Sequence, residues 1–166
     1  MKVDMAVMFT DLVGSTKLYN DLGDEFAQKI IADYLEVIRN AATPHHGNVI
    51  KKMGDGALIV FPTAEAAARA AREMMRHCHS RWGDKRMKLR IGFSFGPVQF
   101  IHEDAHGETV NRAARLLELK GIDEILLDES TAALLSIEQF AFEFYKKATL
   151  KGFPGQHSIH RLEWRE

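Results

Sequence analysis

Apolar and polar positions along this chain follow two periods, and the switches between them mark the elements. Residues 5–13 form a near-continuous apolar run, the pattern of a buried strand. Gly14-Ser15-Thr16 follows as a turn and helix start. Phe26, Ile30, Ile31, Tyr34, Leu35 and Ile38 recur at helical spacing and predict an amphipathic helix over 24–42, ended near Pro44 and Gly47. Residues 49–53 and 57–61 predict short strands joined around Asp55-Gly56, a hairpin signal. Ala67, Ala70, Ala71, Met74, Met75 and Cys78 mark another helix. Leu89, Ile91, Phe93 and Phe95 alternate with Arg90, Gly92 and Ser94, which predicts a strand.

Val110, Ala113, Ala114 and Leu117 make a further helical stripe. A short strand at 125–127 and a short helix at 131–135 follow. Alternation at Phe140, Phe142 and Phe144 predicts another strand, and 158–164 a last one. The order β-α-α-β-β-α-β-α-β-α-β-β opens as βαββαβ with one added helix. It predicts an α+β fold: a ferredoxin-like βαββαβ core with extra C-terminal strands and helices. The expected sheet is mainly antiparallel, with the helices on one face.

Length and composition narrow the function classes. A chain of 166 residues is one domain, 1–166, large enough to bury a core without staples. Lys plus Arg number 22 against 23 Asp plus Glu, so the net charge of −1 gives no general pull toward nucleic acid or an anionic membrane. Neither is expected as a partner. With Cys78 alone, no intrachain disulfide forms, and the expected compartment is the reducing cytoplasm. No apolar run approaches the roughly 18 residues of a membrane span.

Several polar residues stand where chemistry is feasible, each with a plainer alternative. Asp11 closes the first strand in Phe9-Thr10-Asp11-Leu12-Val13-Gly14-Ser15-Thr16. A carboxylate ending an apolar strand is costly unless held, by a divalent cation or in a turn. The loop after it offers free backbone N–H groups at a helix start, which suit phosphate. Asp55, in the hairpin turn, is either a turn residue or the second carboxylate of a two-cation site. Lys51 lies between Val49 and Met53 on an apolar strand face, as an edge-protecting lysine or a donor facing a ligand or a partner chain. Asp104 falls in a polar loop. Asn111 and Arg115 lie one helical turn apart beside the apolar stripe, either as surface residues of an amphipathic helix or as an amide and a guanidinium suited to charge on a phosphoryl group. Lys151 precedes Gly152 in a turn. His77, Cys78 and His79 occupy consecutive helix positions and point apart, which argues against a shared metal.

Taken in order, these pieces resemble the catalytic domain of class III nucleotidyl cyclases, the adenylate/guanylate cyclase family. The Phe9-to-Thr16 stretch resembles the first metal motif. Lys51-Lys52-Met53-Gly54-Asp55 resembles the hairpin with the purine-selecting lysine and second metal aspartate. Asp104-Ala105-His106-Gly107-Glu108-Thr109-Val110-Asn111-Arg112-Ala113-Ala114-Arg115 resembles the loop and helix of the adenine-reading aspartate and the transition-state asparagine and arginine. Leu150-Lys151-Gly152 resembles the site of a phosphate-contacting lysine.

The resemblance implies an adenylate cyclase that converts ATP to cyclic AMP and pyrophosphate. It implies two Mg²⁺ or Mn²⁺ ions at Asp11 and Asp55, triphosphate contacts from Leu12, Val13, Gly14, Ser15, Thr16 and Lys151, and base selection by Lys51 and Asp104. Asn111 and Arg115 would carry catalysis, and a homodimer would share two sites between subunits. Two features depart from longer members: the arm before Asp104 is only Gln99 to Glu103, and Ser15 stands where many members have Phe. A non-catalytic nucleotide-sensing or partner-binding domain, or a cyclase for GTP or a pyrimidine nucleotide, are the competing readings.

Overall fold

The computed structural model describes residues 1–82, 87–119, 121 and 123–165. Its strands are β1 (Lys2–Val13), β2 (Asn48–Met53), β3 (Gly56–Phe61), β4 (Lys88–Ile101), β5 (Asp104–His106), β6 (Ile125–Asp128), β7 (Phe142–Leu150) and β8 (Phe153–Leu162). Its helices are α1 (Ser15–Leu22), α2 (Asp24–Ala42), α3 (Ala64–Trp82), α4 (Glu108–Glu118) and α5 (Glu129–Ala132). The strands form one sheet in the order β2-β3-β1-β4-β6-β8-β7, with β5 paired to β4. Among the described residues β4 and β6 form the one parallel pair; the other pairings are antiparallel. This is the expected α+β fold.

The sheet is covered on both faces, not one. Ala6 and Met8 of β1 join a large core with α2 and α3, while Val7 and Phe9, pointing the other way, join a smaller one with Ala113 of α4. The unbroken apolar run at 5–13 is the sequence signature of this two-sided burial. Gly92 lets α4 sit close on β4: an added Cβ there would stand 3.0 Å from the Leu117 backbone nitrogen. That contact sets the height of α4, and with it Asn111 and Arg115, above the sheet.

Three elements differ from the sequence pattern. Alternation puts Val49, Lys51 and Met53 on one face of β2, but a bulge breaks the register between Val49 and Lys51. Val49 packs on the larger core and Ile50 on the smaller, and the bent strand turns Lys51 toward β5. Phe140 lies outside β7; it is buried, with the Arg72 guanidinium 4.5 Å from its ring centroid. The supposed polar loop around Asp104 contains β5, too short to show a period.

A two-residue turn, His102-Glu103, joins β4 to β5, with Ile101 opposite Asp104. Both turn residues have positive φ, 51° and 64°, as tight hairpins of this twist require. Neither is glycine, so each carries steric strain. Glu103→Gly is expected to stabilise the protein by about 0.5 kcal/mol, the relief exceeding the entropy that glycine adds to the unfolded chain. Chemical denaturation reads this as a raised midpoint; a lowered midpoint contradicts it.

Candidate active site

The first cluster is acidic. Asp11, at the end of β1, lies opposite Gly56 on β3 and Arg90 on β4. Gly56 is required there, because any side chain would collide with the Thr10 carbonyl. The close approach brings the turn residue Asp55 beside the end of β1. Arg90 Nη2 donates to Asp11 Oδ2 at 2.5 Å. Ser15 Oγ, at the start of α1, donates to Asp55 Oδ2.

Beneath them Thr10 Oγ1 accepts from both the buried Tyr34 hydroxyl and the Ala57 N–H, each at 3.1 Å. Burial drives the Tyr34 phenol far above its ordinary range, and the charges of Asp11 and Asp55 push the same way.

Helix α1 begins above this pair. Gly14 takes a φ of 97°, and no side chain caps the helix, so its first amides remain available. Leu12 is buried, Val13, Gly14 and the Ser15 side chain line the turn, and Thr16 is exposed. This arrangement suits anionic oxygens.

The second cluster is a hydrogen-bonded ion pair. The bulge in β2 and the tight β4–β5 turn bring Lys51 and Asp104 together across 53 residues of chain: Nζ donates to Oδ2 at 2.9 Å. Asp104 Oδ1 accepts the Ala105 N–H at 2.8 Å. The Lys51 hydrogen bond, then that backbone N–H, hold the Asp104 carboxyl below the usual carboxylate range. At neutral pH the pair thus presents a cationic donor beside an anionic acceptor.

On α4, Asn111 is exposed and Arg115 half-buried. Arg115 Nη1 donates to Glu118 at 2.6 Å, while its buried Nε has no hydrogen-bond partner among the described residues. Lys151 is exposed at the tip of the β7–β8 hairpin, next to Gly152 at a φ of 89°.

The structure thus pairs Lys51 with Asp104 and sets Asp55 in the turn next to Gly56, the residue opposite Asp11. Among the described residues no hydrogen bond or ion pair links Lys51, Asp104, Asn111, Arg115 or Lys151 to either carboxylate of the first cluster. Sequence reasoning missed Arg90, the Ser15 hydroxyl and Glu118. Arg90 had a usable signal, as a guanidinium inside an otherwise apolar strand; the other two depend on contacts that only the fold makes.

The donor set fits a hard cation. Asp11 and Asp55 supply carboxylate oxygens, and among the described residues no group of three or more His, Cys, Asp or Glu side chains forms a metal cage. A pair of carboxylates that leaves the remaining coordination to substrate phosphate and water is how Mg²⁺ is usually held.

Comparison with known proteins gives a consistent result. A family model described as the adenylate and guanylate cyclase catalytic domain matches residues 2–163. An adenylate cyclase of Streptomyces griseus is 32% identical over 127 residues, 76% of this chain and 31% of that protein. One from Streptomyces coelicolor is 32% identical over 132 residues, 77% and 33% of the two chains. The chain therefore spans about a third of the length of these relatives. The adenylyl cyclase CyaB from P. aeruginosa superposes with a TM-score of 0.85 at 22% identity, covering 98% of this chain and 95% of that one. The catalytic core of a rhodopsin-guanylyl cyclase with converted specificity, in complex with ATPalphaS, gives 0.88 at 19% identity, covering 99% and 98%. At these identities the structural likeness is one of fold. No described helix is long and apolar enough to cross a membrane.

Proposed function

This chain belongs to the family of adenylate and guanylate cyclase catalytic domains, and we propose that it converts ATP to 3′,5′-cyclic AMP and pyrophosphate. The observation that carries the choice of nucleotide is the Lys51–Asp104 pair at 2.9 Å. Adenine offers N1 as an acceptor to the lysine and its 6-amino group as a donor to the carboxylate. Guanine presents N1–H and O6, so donor would face donor and acceptor face acceptor. A buried mismatch of that kind costs several kcal/mol, on the order that hydrogen-bonding sites use to reject analogues.

In the reaction the ribose 3′-oxygen bonds to the α-phosphorus, and the bond to the bridging oxygen of pyrophosphate breaks. Asp11 and Asp55 would hold the divalent ions, Mg²⁺ or Mn²⁺, whose role is to acidify the 3′-hydroxyl and neutralise the triphosphate. Asn111 orients the ribose, so that the attack starts from an aligned pose. Arg115 turns its guanidinium from Glu118 to the charge growing on the α-phosphate. Leu12 to Thr16 present backbone amides to the outer phosphates, and Lys151 contacts them from its hairpin tip. Arg90, beside Asp11, is free to follow the phosphates once its carboxylate partner is neutralised.

The separation into two clusters supports a homodimer in which one subunit's carboxylates meet its twin's Lys51, Asp104, Asn111, Arg115 and Lys151. Two-fold symmetry then yields two equivalent sites.

The direct test is incubation of the purified chain with ATP, GTP, CTP or UTP and Mg²⁺ or Mn²⁺. Cyclic AMP and pyrophosphate are expected in equal amounts, and chelation of the metal is expected to abolish both. Preferential cyclisation of another nucleotide, or no product from any, contradicts the proposal.

A further inference from the structure

The β4–β5 hairpin carries a titratable side chain that base reading by Lys51 and Asp104 does not use. His106 stands two residues after Asp104 on β5, so the two side chains share a face of the strand. Its Nε2 lies 3.9 Å from Asp104 Oδ2, the oxygen that also accepts from Lys51. The other oxygen is tied to the Ala105 N–H. The oxygen left to meet a base therefore lies between a lysine and an imidazole that is cationic only when protonated.

At 3.9 Å a neutral imidazole makes no hydrogen bond to that oxygen. An imidazolium attracts it, and a movement of about 1 Å brings the two to hydrogen-bond distance. The His106 side chain is 50% exposed and that of Asp104 33%, so water weakens the attraction without removing it. Little else competes. From β4 the residue opposite His106 is the neutral Gln99, with Lys2 of β1 next along the row. Strand β2 contributes Lys51, the turn His102 and Glu103, and α4 begins with Glu108. Among the described residues, His106 pairs with none of these charged groups; its one ion-pair contact is Asp104.

We propose that His106 is a positioning residue for adenine recognition: protonated, it draws Asp104 Oδ2 away from the 6-amino group and weakens binding of ATP. Neutral, it leaves that oxygen to Lys51 and the base. The inference rests on reading Lys51 and Asp104 as the adenine-selecting pair. It makes nucleotide affinity fall in acid through one side chain. Turnover at saturating ATP is untouched by it, because Asn111 and Arg115 stand on another element.

The experiment is equilibrium binding of α,β-methylene-ATP, which cannot be cyclised, between pH 8 and 5.5. Wild type and His106→Gln are compared at fixed Mg²⁺, with the purine riboside analogue lacking the 6-amino group measured in parallel. Protonation of the triphosphate affects both proteins alike and cancels in the comparison. Wild type is expected to lose about fivefold more affinity for the adenine analogue than His106→Gln loses, the size of one hydrogen bond. For the analogue without the amino group the two proteins should run in parallel, which a merely structural role of His106 would not produce. In turnover assays the same difference should fall on KM and leave kcat unchanged.

Parallel profiles for the adenine analogue, or an equal difference for both analogues, overturn the proposal. The expected binding pattern without any cyclic product would sink the cyclase reading and leave the role of His106 standing. Cyclic AMP production without that pattern would do the reverse. Failure to bind either analogue would sink both.

Discussion

Arg115→Ala is expected to lower the rate of cyclic AMP formation by about 10³-fold, with KM for ATP changed by less than about threefold. The asymmetry follows from where the guanidinium rests. It pairs with Glu118, and its buried Nε has no hydrogen-bond partner among the described residues, so the group keeps donor capacity for an anionic oxygen. Charge on the α-phosphate is greatest in the transition state, and the loss therefore falls on kcat. Steady-state kinetics check this; a rise in KM with kcat preserved would assign Arg115 to ground-state binding. Asp11→Ala is expected to be equally inactive for a different reason. It removes half of the carboxylate pair and leaves the Arg90 cation without its carboxylate partner, a positive charge that disfavours a divalent ion nearby.

The second large effect is expected at the Lys51–Asp104 pair. Lys51→Glu combined with Asp104→Cys should reverse the preference from ATP to GTP, with kcat/KM for ATP falling by about 10²-fold or more. A glutamate accepts from guanine N1–H, and a thiol can donate to O6. Lys51→Glu alone should be worse for both nucleotides. It places two acids where a 2.9 Å ion pair stood, so like charges repel at the position that would meet the base. Competition between ATP and GTP in one tube measures the reversal. An unaltered preference in the folded double variant would remove base selection from these two positions.

Much of this architecture is legible in the chain because burial imposes periods. The apolar stripes of α2 and α3 and the unbroken run of β1 each follow from which faces are covered. Short-range signals also located the Asp55 turn and the Lys151 turn. What escaped depends on contacts between distant segments. Lys51 reaches Asp104 only because a bulge breaks the alternation of β2, and a three-residue strand such as β5 has no period to read. The covering of both sheet faces could have been inferred from residues 5–13, where Val7 and Phe9 are as apolar as Ala6 and Met8. The pairing of Asp11 with Arg90 is a register fact, fixed by the alignment of β1 on β4. No local pattern encodes it.

The separation of the carboxylate cluster from the Lys51–Asp104 pair and the α4 residues leads to the central claim, a site assembled from two copies of the chain. Subunit mixing tests it most directly. Asp11→Ala and Arg115→Ala chains, each inactive alone, are mixed equally and allowed to exchange until mass analysis of the native complexes gives a statistical distribution. About half the dimers are then mixed, each with one intact site of two, and about a quarter of wild-type activity should return. No recovery in a sample of verified mixed dimers would contradict the shared site and place both groups at work within a single subunit.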